Sequence, residues 1–322
     1  MKALVTGISG QDGPFLANHL LDQGYEVWGL VRGQYSPKWH EVQTYCKGLK
    51  LLRGDLLDQG SLISAIKDCT PDVVFNLGAL SFVGTSWIQP SMTSEVTGLG
   101  ALRVLEAIRL TNQDIRFVQA SSSEMFGGAT GAFESPQSET TQFAPRSPYA
   151  VAKVFAHQMT INYRESYGMH ASTAIMFNHE SSRRGEEFVT RRITQGVAAI
   201  VAGKQDRLVL GRLDPCRDWG YAPEYMACLP LIAAQDTPDD YVLATGRTAS
   251  VAEFAGLAFA QVGLHWEDYV TEDESRYRPA EVLYLCGDAS KAREKLGWVP
   301  QTSLENLVKD MVNYDLAASN NG

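Results

Sequence analysis

The sequence predicts an α/β fold with a doubly wound, mainly parallel sheet, followed by a smaller and less regular C-terminal α/β substrate domain. Short apolar runs alternate with amphipathic helical stretches through the first half of the chain, as in repeated β-α-β units. The runs are apolar on both faces, as a sheet covered by helices on each side requires. We place the first domain at 1–177 and the second at 178–322, with segments near 213–245 as candidates to return to the first.

The predicted elements follow from these patterns in chain order. Strands are predicted at 2–6, 26–31, 49–52, 72–77, 115–120 and 171–177, and helices at 14–23, 59–68, 92–111 and 148–167. After residue 178 several prolines interrupt the pattern. Shorter helices are predicted there at 251–262, 289–296 and 303–317.

Composition excludes several classes of protein. The 322 residues include 28 Lys and Arg against 37 Asp and Glu, a net charge of −9, which argues against a broad surface for nucleic acid or anionic membrane. No apolar run is long enough to span a membrane, and the N-terminus shows no signal-peptide pattern. The five cysteines and six histidines lack metal-ligand spacing. We expect a cytoplasmic protein without a metal ion.

A glycine-rich turn follows the first predicted strand and opens the first helix. Gly7, Gly10 and Gly13 form a G-x-x-G-x-x-G pattern in the run Thr6-Gly7-Ile8-Ser9-Gly10-Gln11-Asp12-Gly13. Small residues at this point let a diphosphate approach the backbone at a helix N-terminus. The turn therefore predicts a dinucleotide site on a Rossmann sheet.

The second predicted strand indicates the type of cofactor. Enzymes that use NAD tend to carry a carboxylate after this strand, whereas Arg32 stands here and no carboxylate follows before Glu41. We therefore expect NADP. Asp55 after the third strand could accept a hydrogen bond from the adenine amine. Small residues at Gly78 and Ala79 after the fourth strand would let the cofactor pass.

Two further segments carry the groups for proton transfer. Tyr149 and Lys153 are four residues apart and therefore lie on one face of a helix. A nearby ammonium favours the phenolate form of a tyrosine, which can then remove a hydroxyl proton. Ser122 and Glu124 follow the fifth strand, at the edge of the sheet where ligands bind. Glu124 exceeds the needs of plain hydride transfer and indicates added acid–base chemistry.

Together these motifs resemble the extended short-chain dehydrogenase/reductase family, and within it the GDP-mannose 4,6-dehydratases. Segments spread over nearly the whole chain carry the second resemblance. They include Pro145-Arg146-Ser147-Pro148-Tyr149, Asn162-Tyr163-Arg164-Glu165-Ser166-Tyr167-Gly168, Phe177-Asn178-His179-Glu180-Ser181, Arg183-Arg184-Gly185-Glu186, Arg217-Asp218-Trp219-Gly220, Arg278-Pro279-Ala280-Glu281-Val282 and Lys295-Leu296-Gly297-Trp298.

The resemblance implies a lyase with an internal redox cycle. The sugar is oxidised at C4 with Tyr149 as base, and the ketone acidifies the proton at C5. Glu124 removes that proton and protonates the departing C6 hydroxyl, and hydride returns to C6. GDP-mannose would become GDP-4-dehydro-6-deoxy-mannose without net consumption of NADP.

The resemblance also implies residue roles. Catalysis is assigned to Ser122, Glu124, Tyr149 and Lys153. Cofactor binding is assigned to Thr6, Gly7, Gly10, Gln11, Asp12, Gly13, Arg32, Asp55, Leu56, Leu77, Gly78, Ala79, Ser81, Tyr149, Lys153, His179 and Arg184. Substrate binding is assigned to Ser81, Ser122, Glu124, Asn178, Val189, Arg192, Gly211, Arg217, Arg278 and Glu281.

The chain departs from the family pattern at four places. Ser122 replaces a threonine, Arg192 replaces a lysine, and Met92 replaces a tyrosine that contacts the cofactor. The segment 33–36 lacks the second arginine and the serines that reach a neighbouring subunit in relatives. We expect a homodimer or homotetramer that pairs through the helices at 92–111 and 148–167.

Other functions fit parts of the same pattern. The same chemistry could act on another GDP-sugar such as a GDP-manno-heptose. A GDP-4-keto-6-deoxy-mannose reductase or an epimerase would share the fold but would not need Glu124. A nucleotide-sensing protein without turnover would not need the complete set of Ser122, Glu124, Tyr149 and Lys153.

Overall fold

A sheet of seven parallel strands forms the centre of the molecule. The computed structural model describes residues 1–33, 37–128 and 136–320. The strands are β1 (Lys2–Thr6), β2 (Glu26–Val31), β3 (Lys50–Arg53), β4 (Val73–Asn76), β5 (Arg116–Ser122), β6 (Ala171–Met176) and, after three strands of smaller sheets, β10 (Asp240–Leu243). Their spatial order is β10-β6-β5-β4-β1-β2-β3, and every neighbouring pair is parallel. The predicted doubly wound parallel sheet is confirmed.

Helices pack on both faces of this sheet. The first seven are α1 (Asp12–Asp22), α2 (Pro37–Tyr45), α3 (Gln59–Cys69), α4 (Val83–Ile88), α5 (Pro90–Thr93), α6 (Gly100–Thr111) and α7 (Pro148–Tyr167). Successive residues of β1 face opposite cores, because side chains alternate along a strand. Ala3 and Val5 pack with Leu16 of α1, whereas Leu4 packs with Ile66 of α3. The apolar strands predicted from the sequence are therefore buried on both faces.

The C-terminal part adds smaller sheets and a third core. One small sheet contains β7 (Asn178–Glu180), β9 (Cys216–Tyr221) and β11 (Thr248–Ser250), and another pairs β8 (Leu208–Leu210) with β12 (Val270–Glu272). The remaining helices are α8 (Val189–Val201), α9 (Ala222–Ala234), α10 (Val251–Ala260), α11 (Ser290–Leu296) and α12 (Leu304–Asn320). Ile193, Phe254 and Val308 bring α8, α10 and α12 into one core.

Part of the C-terminal half packs with the central sheet. β10 forms one edge of that sheet, and Met226 of α9 shares a core with Leu16 of α1. The segment near 213–245 thus contributes to both halves of the structure. The division at residue 177 stays a prediction.

The predicted helix at 92–111 is interrupted. The chain runs instead through α5, a π-helix at Ser94–Leu99, and α6. Two glycines pack tightly here: a Cβ on Gly98 would lie 3.4 Å from Phe155 Cδ1 of α7, and one on Gly100 would lie 3.0 Å from Leu56 Cβ. Close packing against these neighbours accompanies the change in helix type, which periodicity alone does not reveal.

The predicted helix at 148–167 matches α7 at both ends. The Ser147 side chain caps its N-terminus by accepting a hydrogen bond from Ala150 N at 3.1 Å, Pro148 occupies its first turn, and Gly168 ends it in the left-handed conformation. In the parts of the chain that the structure describes, no helix is long and apolar enough to cross a membrane.

Candidate active site

The glycine turn brings the ends of β1 and β4 into close contact. Gly7 has a φ of +68°, and a Cβ there would lie 2.8 Å from the backbone nitrogen of Gly78. A Cβ on Gly13 would lie 2.4 Å from the carbonyl oxygen of Ile8, so only glycine fits at that position without a shift of backbone. The turn therefore needs the glycines at 7 and 13 for its own geometry.

A chain of buried hydrogen bonds links the carboxyl ends of three strands. Thr6 Oγ1 donates to Asn76 Oδ1 at 2.6 Å and accepts from Gly78 N at 3.0 Å. Asn76 Nδ2 donates to Gln119 Oε1 at 2.8 Å. Because these side chains are buried, the bonds hold β1, β4 and β5 in fixed relation. Leu77, Gly78 and Ala79, which are predicted to bind the cofactor, follow the end of β4 at this edge of the sheet. Ser81 lies beyond them and is exposed.

An ion pair connects α1 with β7. His179 Nε2 lies 3.0 Å from Asp12 Oδ2, while its Nδ1 lies 2.7 Å from the Phe177 carbonyl oxygen. Both ring nitrogens face acceptors, an arrangement that the doubly protonated imidazolium satisfies in full. Burial alone would lower the pKa of His179, but the Asp12 charge and hydrogen bond raise it overall. Burial likewise opposes ionisation of Asp12, yet its contacts with His179 lower the pKa of this carboxyl.

Gln11 joins the same contact. Gln11 Nε2 donates to the His179 carbonyl oxygen at 3.0 Å, and Ser181 Oγ donates to Gln11 Oε1 at 3.0 Å. The structure thus brings together Gln11, Asp12 and His179, all three predicted to bind the cofactor.

Glu180 was not predicted as a site residue, although it lies within the segment that carries the family resemblance. Its buried carboxylate accepts from Thr190 Oγ1 at 2.6 Å and lies 3.0 Å from Arg184 Nε. Burial raises the pKa of Glu180, against the opposing charge of Arg184. Arg184 also packs over the Phe188 ring, 3.6 Å from its centroid. Glu180 therefore fixes an arginine that was predicted to touch the cofactor.

The four predicted catalytic residues meet where β5 ends against α7. All four are buried. Ser122 Oγ accepts from Glu124 N at 3.3 Å, and Ser122 is close enough to Tyr149 to influence the pKa of its hydroxyl. Lys153 Nζ donates to the Ala120 carbonyl oxygen at 2.6 Å and lies 5.8 Å from the centroid of the Tyr149 ring. A hydroxyl, a carboxylate, a phenol and an amine thus share one chamber.

Burial dominates the proton affinities in this chamber. It raises the pKa of Tyr149 well above its ordinary value; the bond from Ser122 opposes that rise and the charge of Glu124 adds to it. Burial lowers the pKa of Lys153 to about 8, against the opposing charge of Asp12. In the free protein at neutral pH, Tyr149 is therefore a neutral phenol and Lys153 an ammonium group.

Two arginines from the C-terminal half face the chamber. Arg217 Nη2 lies 3.2 Å and Arg278 Nη1 3.4 Å from Glu281 Oε1, and Arg278 Nη1 also lies 3.9 Å from Glu124 Oε1. Burial lowers the pKa of Arg217, an effect that the charges of Glu124 and Glu281 oppose. Asp218, next to Arg217 in sequence, instead accepts from Thr245 N and Gly246 N. The arginines, Glu281 and Glu124 form one charged cluster.

The other residues predicted to bind substrate lie on elements around this cluster. Asn178 is in β7 opposite Trp219 of β9, and Val189 begins α8. Arg192, on the first turns of α8, is half-buried, and no ion pair in the described residues includes it. Gly211 follows β8, where a Cβ would lie 3.2 Å from the Arg276 carbonyl oxygen.

The residues predicted to hold the adenosine end follow β2 and β3. Arg32 is exposed at the end of β2. Asp55 Oδ1 accepts from Leu57 N at 3.0 Å, and Leu56 is buried against the glycines at 78 and 100. Residues 34–36, within the segment that departs from the family pattern, lie outside the described residues.

The site fits a dinucleotide. The N-terminus of α1 has no side-chain cap among the described residues, so its first N–H groups are available to a diphosphate. The imidazolium of His179 offsets the negative charge of Asp12 at this position. A nicotinamide would supply the capacity to accept and return two electrons. Tyr149, Ser122 and Glu124 would then handle protons on the substrate.

Comparison with known proteins gives a consistent result. The family model for GDP-mannose 4,6 dehydratase matches residues 4–311. GDP-mannose 4,6 dehydratase 1 of Arabidopsis thaliana is 48% identical, and the match covers 98% of this chain and 89% of that protein. GDP-mannose 4,6-dehydratase of Yersinia enterocolitica is 44% identical, with 98% and 94% covered.

Solved structures of lower identity share the fold. A dTDP-glucose 4,6-dehydratase from Bacillus anthracis in complex with NAD is 19% identical with a TM-score of 0.84, covering 98% of this chain and 96% of that one. RMD from Pseudomonas aeruginosa complexed with NADPH is 22% identical with a TM-score of 0.81, covering 98% and 99%. Since one carries NAD and the other NADPH, the fold by itself does not select between them.

The His179–Asp12 pair predicts a specific pH dependence of stability. Because the pKa of His179 is raised in the folded protein, the pair contributes to the free energy of unfolding below the ordinary histidine pKa. This contribution is lost as pH rises through the raised value. The contribution of Asp12 is lost only as pH falls through its lowered pKa. His179→Gln should therefore lower the free energy of unfolding most near pH 6.

Urea denaturation of both proteins at pH 6 and at pH 9 checks this expectation. The difference between wild type and His179→Gln should shrink at the higher pH. A difference of equal size at both pH values would show that the imidazole is neutral in the folded protein.

Proposed function

The chain belongs to the GDP-mannose 4,6-dehydratase family, and on that premise we propose that it converts GDP-mannose to GDP-4-dehydro-6-deoxy-mannose with NADP as cofactor. One observation carries the proposal: the carboxylate of Glu124 lies in the same buried chamber as Tyr149 and Ser122. A simple dehydrogenase needs the phenol and the hydroxyl. Only a reaction with a second proton transfer needs the carboxylate.

Ser122 and Tyr149 act at C4 of the sugar. Ser122 hydrogen bonds the C4 oxygen. Tyr149 first loses its own phenolic proton to solvent in the complex and, as the phenolate, accepts the proton of the C4 hydroxyl. A bound oxidised nicotinamide would supply positive charge beside Tyr149 and the capacity to accept a hydride and return it. The Lys153 ammonium, held by the Ala120 carbonyl, favours the phenolate while the hydroxyl loses its proton.

Glu124 acts at C5 and C6. The C4 ketone acidifies the proton at C5, so a carboxylate can remove it. Glu124 then gives that proton to the C6 hydroxyl, which leaves as water. C5 regains a proton from solvent as C6 receives the hydride, which balances the proton removed from the C4 hydroxyl. One group serves both steps because it accepts the proton that it later donates. The hydrogen bond from the backbone N–H of Glu124 to Ser122 Oγ keeps Glu124 next to Ser122.

The charged cluster suits the diphosphate of a GDP-sugar. Arg217 and Arg278 are held by Glu281 in the free protein, and guanidinium groups bind phosphate oxygens in pairs. We assign Arg192, Asn178, Val189 and Gly211 to the nucleotide and sugar around this cluster. We assign the glycine turn, His179, Arg184 and Arg32 to NADP.

Replacement of single catalytic groups separates the two proton transfers. Glu124→Gln should lower dehydration by about 10²- to 10⁴-fold while C4 oxidation still occurs, because the base for that step is intact. Tyr149→Phe should lower the rates of both C4 oxidation and dehydration. With GDP-mannose and one equivalent of NADP⁺, ultraviolet absorbance measures reduced nicotinamide, and mass spectrometry measures a product lighter by one water.

The exposed carboxylate of Glu267 provides the matched control, since Glu267→Gln removes the same charge far from the chamber. It should leave both readouts at wild-type values. NADP⁺ binding by each variant verifies that the site has folded. Dehydration at the wild-type rate by Glu124→Gln would exclude Glu124 as the base at C5.

We also propose a cytoplasmic homodimer or homotetramer that pairs through the region of α7. Apolar side chains are exposed on α7 and on the short helices that pack near it. They are Ile88, 80% exposed, Met92, 44%, Val151, 55%, and Phe155, 39%. Burying such groups against a second copy would remove apolar surface from water.

Light scattering tests the assembly. Wild type should have the mass of at least two chains. The double variant Val151→Glu with Phe155→Glu should have the mass of one, because it places charges in the interface. Val201→Glu, at an equally exposed position on α8, should keep the wild-type mass. A wild-type mass of one chain would contradict the proposed assembly.

A further inference from the structure

A second arginine lies beside Arg32 at the carboxyl edge of the sheet. β2 and β3 pair in parallel with Val31 opposite Arg53, and Gly54 N donates to the Val31 carbonyl oxygen at 3.1 Å. Neighbouring strands are about 4.8 Å apart, and Arg32 directly follows Val31. The sequence separates these two arginines by a helix and a strand, whereas the strand register brings their backbones together.

The guanidinium of Arg53 is held in place yet remains accessible. Its Cζ lies 5.7 Å from the centroid of the Trp39 ring of α2, a cation–π contact that limits the motion of the side chain. Both Arg32 and Arg53 are exposed. Across residues 1–33, 37–128 and 136–320, no carboxylate forms an ion pair with either of them, unlike Arg217 and Arg278, which share Glu281.

Two exposed arginines without carboxylate partners among the described residues, at neighbouring strand ends, make this edge of the sheet suited to a bound anion. Asp55 and Leu56, which we assign to the adenine, follow Arg53 just beyond the end of β3. The ribose of an adenosine bound there reaches the ends of β2 and β3. In NADP the 2′ position of that ribose carries a phosphate, whereas in NAD it carries a hydroxyl.

We propose that Arg53, stacked on Trp39, is a second ligand of the 2′-phosphate of NADP and helps to select NADP over NAD. This inference rests on the proposed use of NADP. Each guanidinium offers several N–H donors to a phosphate that carries close to two negative charges.

Calorimetric titration of the purified chain with NADP⁺ and NAD⁺ tests the assignment without turnover. Arg53→Gln should weaken NADP⁺ binding by about 10- to 100-fold, as expected for loss of a hydrogen bond between charged groups, and NAD⁺ binding by less than about 2-fold. Arg53→Lys keeps the charge but loses the planar fork, so it should recover part of the affinity. Arg53→Gln should weaken the binding of adenosine 2′,5′-bisphosphate as much as that of NADP⁺. It should affect the binding of adenosine 5′-monophosphate as little as that of NAD⁺.

Lys50 offers a matched control on the same strand. Its Nζ lies 4.9 Å from the centroid of the Trp28 ring, so it too is a cation stacked on a tryptophan, but it stands at the amino end of β3. Lys50→Gln removes the same charge and should leave the ratio of NADP⁺ to NAD⁺ affinity unchanged.

Two results would overturn the inference while leaving the proposed cofactor intact. In the first, wild type prefers NADP⁺ and Arg53→Gln keeps that preference with unchanged affinities. In the second, Arg53→Gln weakens the binding of NADP⁺ and of NAD⁺ equally, which would indicate a structural role through Trp39. If wild type binds both nucleotides equally, the proposed use of NADP fails together with the inference.

Discussion

The hydrogen bond from Lys153 Nζ to the Ala120 carbonyl oxygen fixes the geometry on which the chemistry depends. It joins α7 to the end of β5, so that Tyr149, one turn earlier on the helix, meets Ser122 and Glu124. One turn later, Ser121 Oγ and His157 Nδ1 lie 3.0 Å apart and make a second link between the same two elements. Both links are buried, so water does not compete with them. A phenol and a carboxylate therefore keep a defined separation, which two successive proton transfers on adjacent sugar carbons require.

The distribution of charge explains how an acidic chain binds two anionic ligands. Burying arginines is unfavourable unless carboxylates compensate them. Glu281 compensates Arg217 and Arg278, and Glu180 compensates Arg184. At the glycine turn the charges are reversed, since His179 compensates Asp12 and leaves the N-terminus of α1 suited to a diphosphate. These pairs preserve the sites in the free protein, and phosphate oxygens can replace the carboxylates as partners of the arginines.

Local patterns in the sequence were sufficient to predict those features that depend on neighbouring residues. Capping residues and periodicity place α7, and the four-residue spacing within it places Tyr149 and Lys153 on one face. Contacts between distant segments could not be predicted in this way. Asp12 meets His179 across 167 positions of chain, and β10 joins the central sheet long after β6. Adjacency in sequence does not reveal partners either, since Asp218 binds backbone amides rather than its neighbour Arg217. The approach of Arg53 to Arg32 depends on the register of two strands, which their composition does not fix.

We infer that one chamber oxidises C4, expels water and reduces C6 of the same sugar molecule. GDP-mannose labelled with deuterium at C4, incubated with a small fraction of an equivalent of unlabelled NADP⁺, shows whether the hydride stays with that molecule. We expect the product to carry the deuterium at C6, as read by nuclear magnetic resonance, with no net formation of reduced nicotinamide. Product that lacks the label at C6, or turnover that consumes NADP⁺ in step with product, would contradict the claim.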